Sequence, residues 1–346
     1  MCNTCIVILH PSRCFFCLEC WQAAGFVIHY SVVQKLDAGL EFCEDERCCK
    51  LWKSSACSGK RKAYVVKNIF FTVEYDGTNF HGWQRQPNAR TVQGVLEEAL
   101  TGILGQPISI DGTSRTDAGV HALGQCATFR ADFALPVDRL MMVLNHRLAG
   151  GKHTEELSDV RITSLREMPE GFHARFSCKG KKYVYRILAG GEKRVFDRNY
   201  YYLLREPLDI GAMREAAKHI VGTHDFKCFQ AAGGEEKETT VRTVTSLEIF
   251  CEERLSADSE SGSSCEGDAS NGGKARGLRQ DIRVEVSGDG FLYNMVRIIT
   301  GTLVEVGQGK RTPDSVAATV ASCDRTTAGH TAPPQGLYLA EVYFQS

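Results

Sequence analysis

One order of elements, β-α-β-β-α-β, runs through this chain twice, and that repetition restricts its fold more than any other feature. Residues 66–75 (VKNIFFTVEY) are aromatic and β-branched and end in the turn residues Asp76, Gly77, Thr78 and Asn79, which predicts a strand. Thr91 then offers an N-cap to Val92, Val95, Leu96, Ala99, Leu100 and Ile103 at helical spacing, and Gly105 and Pro107 stop the run. Strands are expected at 108–111 and 124–130, a helix after Pro136, and a strand over 160–165. The second pass has a strand at 182–188, a helix at 210–221, strands at 241–250 and 282–287, a helix at 293–306 and a closing strand at 337–344, with an extra helix near 314–321. The economical fold is α+β: two ferredoxin-like subdomains joined by an extended antiparallel sheet, helices on one face. The opposite face is then expected to be free to form a central cleft.

Composition divides the chain further. Its 346 residues include 15 cysteines, nine of them (Cys2, Cys5, Cys14, Cys17, Cys20, Cys43, Cys48, Cys49 and Cys57) in residues 1–62. The spacings Cys2-x-x-Cys5 and Cys14-x-x-Cys17-x-x-Cys20 could converge on zinc, but a poorly ordered leader without metal is the plainer reading. Arg13 and Lys35 are too few for an Arg-rich transit peptide, and no signal-peptide order appears. The later cysteines show no pairing pattern, which points to an intracellular setting, cytoplasmic or organellar. No apolar run approaches the roughly 20 residues that span a bilayer, so no membrane partner is expected. The stretch 252–280 is rich in Ser, Gly and charge and reads as a flexible insertion between two strands. The expected divisions are the leader 1–62, a first subdomain 63–170 that carries an aspartate loop, and a second subdomain 171–346 that contains the insertion.

That aspartate loop carries the chemistry. Between the central strands of the first pass lie Asp111, Ser114, Arg115, Thr116, Asp117, Gly119 and His121, a small polar segment that presents a carboxylate two residues from a cation. By itself the segment is also compatible with an ordinary Asx turn in which Asp117 bonds nearby backbone and Arg115 is solvated. The strings around it decide between the two. YDGTNFHGWQRQ (75–86), SRTDAGVH (114–121), FHARFS (172–177), KKYVYR (181–186), GFLYNMVR (290–297) and GLYL (336–339) occur in this order, and with them residues 66–346 resemble the TruA-type tRNA pseudouridine synthases. The chain departs from that pattern in a longer connection over 145–156 and in the 252–280 insertion.

The resemblance implies an isomerase that converts uridine to pseudouridine in the tRNA anticodon stem-loop without a cofactor, as a homodimer. It implies Asp117 as the nucleophile, Arg115 as a residue that holds the flipped nucleotide or the vacated stack, and Tyr183 packed on the target uracil. Arg297 would pair with Asp117 and keep it ionised by depressing its pKa. His121 and His173 are expected to be structural, and Trp83 and Gln84 to shape the turn after the first strand. No metal and no nucleotide cofactor are expected. The alternative is a non-catalytic RNA-binding or tRNA-chaperone protein on the same scaffold.

Charge enters as a local quantity. The whole chain has net charge −1, which gives no global sign of a polyanionic partner. Residues 171–198 nevertheless hold Arg175, Lys179, Lys181, Lys182, Arg186, Lys193, Arg194 and Arg198 against Glu192 and Asp197, a net of +6 around Tyr183. Phosphate contacts need such a local cluster rather than a basic pI, although lysines also serve to protect strand edges. The aromatic residues Phe172, Phe176, Tyr183 and Tyr185 interleaved with these cations favour RNA.

Overall fold

Strand β1 (Val66–Tyr75) buries Ile69, Phe71, Val73 and Tyr75 on one side, as a period-two pattern must when helices cover that side. The computed structural model describes residues 66–150, 158–191, 195–234, 238–255 and 278–344. The cysteine-rich leader with its proposed zinc spacings, Lys193 and Arg194, and residues 256–277 of the insertion lie outside these described residues. After β1, helix α1 (Val92–Leu104) starts where Thr91 accepts a hydrogen bond from the Gly94 amide and ends at Gly105, whose φ of 68° suits a residue without a Cβ. Next come β2 (Ile110–Gly112), β3 (His121–Asp132), α2 (Val137–Leu148) and β4 (Val160–Met168). The second run is β5 (Cys178–Ala189), β6 (Tyr202–Leu204), α3 (Ile210–Lys218), β7 (Gly222–Asp225), β8 (Val241–Leu255), β9 (Leu278–Gly288), α4 (Met295–Gly307), α5 (Pro313–Ser322) and β10 (Leu337–Phe344).

The result is a mixed α+β architecture built on one large, mostly antiparallel sheet, in the order β4-β1-β3-β10-β5-β9-β8-β7. Within the first run the strands lie fourth, first, third, second (β4-β1-β3-β2), and the main strands of the second run repeat that order as β10-β5-β9-β8. β10 joins the runs, parallel to β3 and antiparallel to β5. On β3 one edge is shared: Ala127–Phe129 pair with β2, whereas His121 and Ala122 pair with β10. The sheet therefore forks beside residues 113–120, the loop between β2 and β3.

Four elements differ from expectation. β8 and β9 extend to Leu255 and from Leu278, so the ends of the 252–280 stretch are paired strand: Glu252 lies opposite Asp281 and Glu253 opposite Gln280. β6 and β7 were not anticipated, because segments of three and four residues are too short to show periodicity. Among the described residues no helix is long and apolar enough to cross a membrane.

Candidate active site

The loop 113–120 is held at both ends before any functional group is considered. The Thr113 amide and hydroxyl both donate to the Cys126 carbonyl, at 2.9 and 2.8 Å, and Gln125 Nε2 donates to the Ser114 carbonyl at 2.6 Å. The Trp83 amide donates to the Thr116 carbonyl at 3.0 Å, and Tyr75 Oη lies 2.7 Å from Thr116 Oγ1. Gly82, at φ 90°, lets the buried Trp83 turn come this close, since a Cβ there would sit 2.6 Å from the Thr116 oxygen. The expected turn role of Trp83 thus has a physical basis, and Gln84 joins it by donating to Gln93 at 2.8 Å.

This bracing sets Asp117 in the wall of a cavity of about 680 Å³. Across from it stands Arg297, in the first turn of α4, with Nη1 3.4 Å from Asp117 Oδ2. Their side chains retain 23% and 15% of their exposure, so both are largely withdrawn from water but reachable from the cavity. Arg297 is itself fixed by two donated bonds, from Nη1 to Asn294 Oδ1 at 2.6 Å and from Nε to the Ala332 carbonyl at 2.8 Å. A cation at the positive end of a helix needs compensating oxygen, and these two acceptors supply it along with Asp117.

Burial raises the Asp117 pKa above the usual aspartate value, and the charge and hydrogen bond of Arg297 oppose that rise without overcoming it. Arg297 thus acts in the expected direction, but the expectation of a net depressed pKa is corrected: one contact at 3.4 Å returns less than desolvation takes away. Asp117 is a carboxylate with enhanced basicity, poised next to a cation.

Tyr183 on β5 also lines the cavity, 7% exposed, with its hydroxyl 2.8 Å from Ser114 Oγ and its ring edge-on to Phe291 at 5.2 Å. Burial pushes its phenol up to about 12, so it stays neutral at physiological pH. By strand alternation Tyr183 shares its pleat face with Tyr185 and Ile187, which pack into the helix-covered core. The cavity therefore opens on the helix-bearing side, between the two sets of helices, and not on the opposite face where the cleft was expected. Arg115 is exposed on the rim of the cavity.

The same alternation sorts the basic segment. Lys181 faces the cavity and donates to the Thr113 carbonyl at 3.0 Å, whereas Lys182 points away and pairs with Glu285 at 2.6 Å. Arg186, on the Lys182 side, lies over the rings of Tyr201 and Tyr338. Of the +6 cluster, Arg175 and Lys181 line the cavity.

His121 and His173 have structural partners. His121 Nδ1 accepts from the Gly77 amide at 3.1 Å and Nε2 lies 2.9 Å from the Asn199 carbonyl. His173 Nδ1 accepts from the Arg175 amide at 3.1 Å, leaving Nε2 to approach Asp111 at 3.5 Å. Among the described residues no three His, Cys, Asp or Glu side chains are grouped to hold a metal.

Sequence reasoning missed Asn294 and the Ala332 carbonyl, and had Lys181 only as one member of the basic cluster. Asn294 stands three residues before Arg297, a spacing that puts them on one helix face, and asparagine tolerates the left-handed φ of 59° found there. The Ala332 carbonyl leaves no side-chain signal at all.

The family model for tRNA pseudouridine synthase matches residues 71–176 and 216–345. The chain is 42% identical over 279 residues to tRNA pseudouridine synthase A of Ruminiclostridium cellulolyticum, covering 81% of this chain and all of that protein. Its counterpart in Acetivibrio thermocellus is 40% identical over the same shares. That of Halalkalibacterium halodurans is 42% identical over 273 residues, 79% of this chain and 90% of that protein.

Proposed function

This chain belongs to the tRNA pseudouridine synthase family, and from that premise we propose that it isomerises uridine to pseudouridine in tRNA with Asp117 as the nucleophile. The reaction replaces the N1–C1′ glycosidic bond by a C5–C1′ bond, while the C5 proton is lost and N1 gains one. It is redox-neutral. What it needs is a site that admits a base flipped out of its stack, a carboxylate to attack or to hold the developing sugar cation, and walls that keep the freed uracil in place while it turns.

The observation that carries this reading is the ion pair Asp117–Arg297 facing a cavity large enough for a nucleoside and walled by the Tyr183 ring. Tyr183 supplies a face for the uracil, and Arg115 on the rim supplies a cation for the backbone of the extruded nucleotide. A purely RNA-binding role, the alternative, has no use for a desolvated carboxylate opposite a fixed arginine. The repeated strand order speaks for two ferredoxin-like subdomains, with the cavity between them as the RNA cleft. An anticodon stem-loop target and a homodimer complete the proposal by family resemblance. The similar proteins are bacterial, which favours an intracellular enzyme and gives an organellar address no support.

Chemical mapping of pseudouridine in tRNA treated with the wild type, Asp117→Ala and Asp117→Asn tests this. Both variants are expected to bind tRNA and form no pseudouridine. Turnover by either would remove Asp117 from the role of nucleophile.

A further inference from the structure

Phe176 is 77% exposed, among the most exposed large apolar side chains described, yet the backbone beneath it is fixed. Asn68 Nδ2 donates to the carbonyls of Pro169 and Phe172, both at 2.8 Å, and Arg130 Nη2 donates to that of Glu170 at 2.7 Å. The Ala174 amide and carbonyl meet the hydroxyls of Thr128 and Thr113, and the Ser177 amide closes a turn on the His173 carbonyl at 2.9 Å. Phe172 packs edge-on against Phe70 underneath. The segment 169–177 is thus a braced platform, and its one fully presented ring lies 4.5 Å from that of His173, which approaches Asp111 on the cavity wall.

We propose that Phe176 is a stacking platform for a base next to the target uridine in the RNA strand. Three features point to a nucleic-acid occupant. The neighbouring Arg175 lines the catalytic cavity, so a chain whose target base enters that cavity must pass this loop. Arg175 and Lys179, which flank Phe176 in sequence, are both exposed and match a phosphodiester backbone in charge. An aromatic face accepts any base without hydrogen-bond readout, and holding one flanking base compensates for the stacking that the extruded uridine leaves behind. The platform selects single-stranded or unstacked RNA beside the target.

This inference rests on the tRNA reading above, and binding separates the two. Affinity for a tRNA transcript is measured with full-length protein in the Asp117→Asn background, where turnover does not intervene. Phe176→Ala and Phe176→Leu are expected to bind roughly ten-fold more weakly, and Phe176→Trp to bind like the parent, with unchanged melting temperatures. The same affinities are then read on transcripts with an abasic residue at either neighbour of the mapped uridine. At one neighbour the abasic change and Phe176→Ala are expected to be non-additive, because each removes the same stack. Full additivity at both neighbours, unaltered affinity of Phe176→Ala, or a shift in oligomeric state with affinity unaltered would overturn the platform alone. Failure of the parent to bind tRNA would overturn the tRNA reading and the platform with it.

Discussion

A carboxylate that serves as nucleophile works while it is ionised, and Asp117 is held where ionisation is disfavoured. Burial raises its pKa despite Arg297, so the acid limb of turnover is expected above the pH at which an ordinary aspartate titrates, and a limb at or below about 3.9 would contradict the described environment. The same raised pKa has a consequence for stability. The protonated form fits the site better than the charged one, so the favourable contribution is present below the unfolded-state value and is lost as pH rises through the folded-state value. Asp117→Asn is neutral at every pH. Its melting temperature is expected to equal or exceed that of the wild type at pH 7, with any advantage vanishing near pH 4; a clear loss at pH 7 would show that the Arg297 pair is net stabilising. The pair of Asp117 and Arg297 was legible in the SRTDAGVH and YNMVR strings. The direction of its pKa was not, because that depends on how much water the Trp83 turn and α4 exclude, which is set by residues distant in sequence.

At the level of elements, α4 and the connection that follows α5 form the frame for Arg297. Glu305, one face of α4, accepts from the amide and ring of His330 at 2.9 Å each and from Arg311 Nε at 2.6 Å. It thereby ties residues 325–333, which carry the Ala332 carbonyl beneath Arg297 and the Pro333 carbonyl that accepts from Tyr185 Oη at 2.6 Å. Burial alone would raise the Glu305 pKa, but these hydrogen bonds outweigh it and pull the value to about 2. The sign is opposite to that of Asp117: the stabilisation is present above the ordinary glutamate range and lost as pH falls toward 2. Glu305→Gln is expected to cost about 2 kcal/mol in denaturant melts at pH 7, with the gap to wild type narrowing at acid pH. A gap that stays constant down to pH 3 would show that shape, not charge, matters there. The helices and long strands were readable because their apolar periods run for many residues. The side of the sheet on which the cavity opens was not, since alternation on β5 tells which residues share a face but not which face the helices cover.

Across the whole molecule, near-neutral composition conceals a division by face: Lys181 serves the cavity while Lys182 and Arg186 are satisfied on the reverse. The sheet imposes a comparable division, because among the described residues β10 alone bridges β3 and β5 in the strand order. Leu337, Tyr338 and Leu339 are buried there, and their loss forfeits several kcal/mol. A chain ended at Gly336 is expected to form no pseudouridine and to melt roughly 10 °C lower or in two steps, as calorimetry would record. A single transition with retained turnover would show that the halves cohere without β10. The position of this strand also orders events during synthesis. Asp117, Tyr183 and Arg297 all precede in the chain the strand that aligns the two runs, so a nascent chain carries these three side chains before the strand that joins their supporting sheets has been made.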